Sequence, residues 1–252
     1  MTARFSTLIV EEIGRVRRLT LNRPDQHNPL TPRSMREILA AVAEAEADAG
    51  VHVVIIRSTG RSFSSGYGFI AEDADPGDFP QHAAIEGDVT AMLALGDGWA
   101  RIWNCALPVI AQVQGNCLAG GTDLTLHCDL VVAADDARIG FPPVRSMGVP
   151  PTNMWLYHLG PQWTKRLVLT GDTISGTQAQ EIGLVVATHQ ARRDLNTPAR
   201  PVVSLLTDTQ GQLLPIPRVV DLSETEGRSI LRGLSVSERC ERVGKRYPEW
   251  AA

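Results

Sequence analysis

The stretch Leu107-Pro-Val-Ile-Ala-Gln-Val-Gln-Gly-Asn-Cys-Leu-Ala-Gly-Gly-Thr-Asp-Leu-Thr-Leu-His-Cys-Asp129 decides how this chain is read. Its first part, residues 109–113, is a short apolar run of the kind that forms a buried strand. A glycine-bearing turn follows, and a helix opens at Gly120-Gly121 with a carboxylate, Asp123, in its first turn. The start of a helix presents unpaired N–H groups and the positive end of the dipole, so it can hold a negatively charged oxygen. Glycine lets a ligand come close to the backbone. One segment therefore offers an oxyanion donor and, three residues later, an acid or base, a pairing suited to chemistry at a carbonyl. A plainer reading of Asp123 is a dipole partner in a first helical turn. His127, four residues on, lies on the same helix face. It either tunes Asp123 or is a core or contact histidine.

Outward from this stretch, strands and helices alternate, which makes the class α/β. Residues 7–12 and 15–21 around Gly14 predict a hairpin. Asn22 to Leu30 is loop by its Asn, Pro and Asp content. Thr31-Pro32 predicts an N-cap with proline at the first helical position, and the Ala-rich run to 47 a helix. A buried strand is expected over 51–57, a long loop over 58–80 and a helix over 84–105. Short strands are expected at 129–134, 137–140 and 184–187, with short helices at 152–159, 161–169 and 175–182. Beyond 189, Pro198, Pro201, Pro215 and Pro217 interrupt any long helix, and only 224–245 suggests one. The domain reading is a core of residues 1–189 and a divergent, partly helical segment of 190–252.

The 252 residues are 43% hydrophobic and 21% charged, with net charge −4 and four cysteines. That is enough chain for one large core. The charge gives no reason to expect nucleic acid or an anionic membrane as partner. No cysteine pair or His/Cys cluster has zinc spacing, so no metal is expected. No apolar stretch reaches the roughly 20 residues of a membrane span, and the first residues do not read as a signal peptide. The expectation is a reduced, cytoplasmic protein with buried free thiols.

Two other motifs are weaker. Gly66-Tyr-Gly-Phe-Ile-Ala71 matches the G-x-G-x-x-A pattern of dinucleotide folds. However, a polar loop separates it from the preceding strand, and Glu72, Asp73, Asp75 and Asp78 crowd the place of a phosphate. Gly60-Arg-Ser-Phe-Ser64 lacks the last glycine of a nucleophile elbow, and nothing in the sequence pairs Ser62, Ser64 or Ser65 with a histidine. Phe63-Ser-Ser-Gly-Tyr-Gly68 reads better as a loop that brings backbone N–H groups to a ligand, or as a structural turn. Phe69, Phe141, Met147, Met154 and Trp155 line an acyl pocket or belong to the core.

Four motifs, in order and in register over about residues 5–187, resemble the enoyl-CoA hydratase/isomerase family, the crotonase superfamily. They are Leu21-Asn-Arg-Pro-Asp-Gln-His-Asn-Pro-Leu30, Phe63-Ser-Ser-Gly-Tyr67, the opening stretch itself, and Leu169-Thr-Gly-Asp172 with Ala179 and Gly183-Leu-Val185. The resemblance implies a spiral of ββα units, assembled as homotrimers or hexamers, that binds acyl-CoA thioesters without a metal or redox cofactor. By position, the N–H groups of Tyr67 and Gly120 form the oxyanion hole. Gln26, His27, Pro29 and Ser65 line the CoA path, and Gly68, Phe69, Pro143 and Gly148 line the substrate site.

The acid/base positions depart from the family pattern. The first of two family glutamates falls on Asp123, whose carboxyl sits back by one C–C bond, roughly 1.5 Å. The second falls on Pro143, which has no proton to exchange, and Gly68 stands where an acidic residue is common. Two-carboxylate hydration is therefore disfavoured against isomerisation or another enolate step through Asp123 alone. Arg145 is either a substrate-carboxylate ligand or a surface arginine. The alternatives are a noncatalytic acyl-CoA binder or assembly subunit, and hydrolysis or decarboxylation of an acyl-CoA on the same scaffold.

Overall fold

A computed structural model of the chain describes residues 5–68 and 85–189. The expected domain boundary at 189/190, the partly helical extension and Phe69 lie outside these residues.

The chain opens as a hairpin of β1 (Leu8–Ile13) and β2 (Val16–Leu21), turning at Gly14 with φ +60°. The conformation costs glycine nothing, because it has no Cβ. Helix α1 (Pro32–Ala47) begins where Thr31-Pro32 predicts, with the Thr31 hydroxyl accepting from Ser34 N–H. Met35, Ile38, Val42 and Ala45, three or four residues apart, are buried on one face. Strand β3 (Val53–Ser58) is buried along its apolar run, as expected of an inner parallel strand. Next come α2 (Ile85–Trp103), β4 (Val109–Val113), β5 (Asn116–Leu118) and α3 (Gly120–Leu126). They are followed by β6 (Leu130–Ala134), β7 (Arg138–Gly140) and α4 (Met154–Thr170). The described part ends with β8 (Thr173–Ser175), α5 (Gly176–Glu181) and β9 (Ala187–His189). Helix α4 breaks at Gly160 (φ +67°, ψ 179°), so it is two helical pieces as its sequence predicts.

Six strands form one sheet in the order β1-β2-β3-β4-β6-β9, parallel throughout except for the hairpin. Three short strands form a second sheet, β5-β7-β8. β4, β5 and α3 trace one turn of a spiral: large sheet, small sheet, helix. β6, β7 and α4 trace the next. The turn before them uses β3, then Ser64, which makes an isolated parallel bridge to Cys117 of β5, then α2. The ββα course expected from the resemblance is present.

Two differences have local causes. Strands β5 and β8 are only three residues long, too short for an alternating pattern to register. The strand expected at 184–187 begins only at Ala187. Leu184 and Val185 are buried, but their N–H groups turn back to Ala179 O and close the end of α5. Burial there reflects helix termination rather than a ladder.

Candidate active site

Three segments lie side by side at the start of α3, joined by backbone hydrogen bonds. Ser64 N–H donates to Asn116 O at 3.0 Å and Leu118 N–H to Ser64 O at 3.1 Å, so the glycine loop pairs with β5. On its other side Leu30 N–H donates to Gly66 O at 2.7 Å and Gly68 N–H to Leu30 O at 3.0 Å. Ser65 N–H reaches His27 O at 2.9 Å. Loop 26–30, loop 63–68 and residues 116–120 thus converge from distant parts of the sequence.

The close packing explains the glycines. Gly66 has φ +108°, and a Cβ there would lie 2.6 Å from Ala119 Cβ. A Cβ on Gly120 would lie 2.8 Å from Cδ1 and Cε1 of Tyr67, so that ring rests directly on the Gly120 Cα. Ala119, between β5 and α3, is held at φ +50°, ψ −120°. A residue with a side chain in that region stores strain on the order of 1–3 kcal/mol, and such strain gathers at functional sites.

Asp123 projects from the first turn of α3 and is fully buried. Its Oδ2 accepts from the Tyr67 hydroxyl at 2.8 Å, and Tyr67 Oη in turn accepts from the Trp99 indole N–H at 3.0 Å. Its Oδ1 is buried with no hydrogen-bond partner. Burial pushes the Asp123 carboxyl up to about 7, opposed by the Tyr67 hydrogen bond. A carboxyl balanced near neutrality can give or take a proton at little cost.

The remaining expected residues divide. His27, Pro29, Ser65 and Gly68 belong to the converging loops, with Gly68 packed so that a Cβ would meet Pro29 and Thr31. Gln26 is exposed and accepts from Arg23 at 2.8 Å. Pro143 lies in the 3-10 turn Pro142–Arg145 that leaves β7, whose Gly140 O accepts from Ala119 N–H. Gly148 is exposed and folds back on Pro143 O. Arg145 binds Asp172 at 2.9 Å and Thr170 O at 2.7 Å, which is the surface role. Phe141 and Trp155 are core, while Met147 is exposed. His127 Nδ1–H donates to the Asp123 backbone carbonyl at 2.6 Å, so its ring caps the helix end.

One expectation is corrected. Ser62 does have a histidine: His27 Nδ1 lies 3.1 Å from Ser62 Oγ, across 35 residues that spacing could not bridge. The pair is not a nucleophile and its base. Ser62 is buried, and Arg61 approaches the other ring nitrogen at 3.4 Å. An arginine only donates, which makes Nε2 the acceptor and leaves Nδ1 carrying the proton.

Sequence reasoning missed Trp99, the Tyr67 hydroxyl and Asn28. Asn28, at φ +52°, accepts from Arg23 N–H and donates to Thr59 O and Ser62 O, tying the first loop to the second. Its place between His27 and Pro29 in a turn-rich run was the available signal. Trp99 gave none.

Comparison with known proteins agrees with this fold. The profile of the enoyl-CoA hydratase/isomerase family matches residues 11–211, further than the motifs, which end at Val185. A 2,3-dehydroadipyl-CoA hydratase of Escherichia coli (strain K12) is 33% identical over 187 residues, covering 72% of this chain and 68% of the relative. A probable enoyl-CoA hydratase of Rhizobium meliloti is 31% identical over 185 residues, with the same shares covered. Among solved structures, an enoyl-CoA hydratase from Mycobacterium smegmatis superposes with a TM-score of 0.67 at 36% identity, covering 73% of this chain and 66% of that one. An enoyl-CoA hydratase/isomerase from Xanthobacter autotrophicus Py2 gives 0.67 at 35% identity, covering 74% and 68%. The chain thus spans about two thirds of the length of these relatives.

Proposed function

The chain belongs to the enoyl-CoA hydratase/isomerase family, and on that premise we propose that it processes an acyl-CoA thioester through an enolate, with Asp123 as its single acid/base. The observation that carries the reading is a buried carboxylate with one unpartnered oxygen, in the helix whose first residue packs against the glycine loop. In the proposed step, Asp123 takes a proton from a carbon activated by the thioester. The electron pair moves to the thioester oxygen, held by the N–H groups of Tyr67 and Gly120. One such donor is worth about 3 kcal/mol in related chemistry. The same carboxyl then returns the proton at another carbon, so that a double bond moves and no atom is gained.

Isomerisation is favoured over hydration because Pro143 supplies no second proton-exchanging group. The reaction calls for no metal or redox cofactor. His27, Pro29 and Ser65 lie along the proposed CoA path. The reading extends to a homotrimer or hexamer, supported by Leu156, Tyr157 and Leu169, large apolar residues exposed on α4. Light scattering should return three or six times the 27.3 kDa chain mass.

A panel of enoyl- and 3-hydroxyacyl-CoAs, followed by mass spectrometry, tests the reading. Isomerisation leaves the mass unchanged with a new retention time, hydration adds water, and hydrolysis releases free CoA. An isomer formed by the wild-type protein and lost in Asp123→Asn is expected. A thioester that binds and returns unchanged would replace the enzyme with a binder.

A further inference from the structure

The proposed chemistry uses only the main chain of Tyr67, yet its side chain touches the carboxylate. A phenol oxygen has one hydrogen to give and lone pairs to receive with, whereas an indole N–H can only give. The Trp99 N–H, 3.0 Å away, therefore occupies a lone pair of Tyr67 Oη. The single phenol hydrogen goes to Asp123 Oδ2 at 2.8 Å. Neither ring is free to turn away, since Trp99 is fully buried and the Tyr67 ring rests on Gly120. Asp123 is left with one oxygen bound and the other, Oδ1, bare.

We propose that Tyr67 is a positioning residue whose hydroxyl, oriented by Trp99, clamps Asp123 Oδ2 and leaves Oδ1 as the only oxygen that exchanges protons with substrate. The substrate's identity rests on the preceding reading; the clamp does not. Two facts distinguish a clamp from a relay. Burial, then the neighbouring Asp123 charge, pushes the Tyr67 phenol far above its ordinary range, so it keeps its proton at neutral pH. Its hydrogen bond also favours the charged form of Asp123, holding the carboxyl below where burial alone would carry it. The other titratable groups around Asp123 do not compete. The Cys117 thiol of β5 is pushed up to about 12 by burial and stays neutral. His127, on the same helix, spends its Nδ1–H on the Asp123 carbonyl, and burial lowers its proton affinity. Among the described residues no basic side chain pairs with the carboxylate.

The test needs no substrate. In whole protein labelled with [4-13C]aspartate, the Asp123 carboxyl signal is assigned by its loss in Asp123→Asn and followed by NMR from pH 4 to 9. In Tyr67→Phe the midpoint should rise by about one pH unit, a tenfold change in proton affinity. In Trp99→Phe it should rise by less, because the hydroxyl remains but is no longer directed. Replacing tyrosine by 3-fluorotyrosine, a stronger donor of almost the same size, should move it downward, and this arm holds even if Tyr67→Phe does not fold. A midpoint unmoved by both tyrosine changes, or moved in the opposite sense by either, overturns the clamp. Absence of acyl-CoA turnover would overturn the functional reading and leave this titration intact.

Discussion

At Asp123 two opposed effects set the proton affinity: burial raises it, and the Tyr67 hydrogen bond pulls it back to about 7. A base must be ionised to act, so turnover should climb with pH through an apparent value near 7 and level off above it; a pH profile of kcat/KM checks this. Asp123→Asn keeps the shape but cannot take a proton, and steady-state kinetics should show a loss of about 10²–10⁴-fold with acyl-CoA binding nearly unchanged. Gly120→Ala places a methyl about 2.8 Å from the Tyr67 ring carbons. The ring must shift, so the same assay should show loss of kcat even though alanine keeps the N–H proposed as an oxyanion donor. At this scale the sequence was partly legible. Asp123 stands out as the carboxylate of a glycine-started helix, but Trp99 and Tyr67 are 32 residues apart, with nothing local to connect them.

Among elements, the site depends on three segments held in register by their backbones. The Asn28 side chain ties the first loop to the residues that lead into the second, and its removal deletes three hydrogen bonds, with Arg23 N–H, Thr59 O and Ser62 O. At about 1 kcal/mol per hydrogen bond, Asn28→Ala should cost about 3 kcal/mol of stability in urea unfolding. Elements with chemical punctuation were legible: Thr31-Pro32 marks the start of α1, and Pro108 precedes β4. The three-residue strands were not, because their place is set by tertiary pairing rather than by an apolar alternation of their own. The pairing of Ser64 with β5, which brings the glycine loop to α3, belongs to the same class. Motif resemblance implied it; periodicity did not.

For the whole molecule, a buried carboxyl couples folding to pH. The Asp123 value rises from 3.8 to about 7 on folding, so between those values the folded chain binds the extra proton. Its contribution is therefore fully present below about pH 4 and lost as pH rises through about 7. The loss is on the order of 4 kcal/mol. Stability relative to Asp123→Asn should fall by that order between pH 4 and 8, measured by denaturant titration at each pH; a constant difference would mean that Asp123 is not held neutral in the fold. The same proton is the one proposed to move during turnover, so the most direct measurement follows it onto substrate. Enoyl-CoA incubated with the protein in deuterium oxide should gain deuterium at a carbon activated by the thioester, read by mass spectrometry, and Asp123→Asn should abolish the gain. Equal incorporation by both proteins, or none by the wild type across the acyl-CoA panel, would contradict an Asp123-driven enolate.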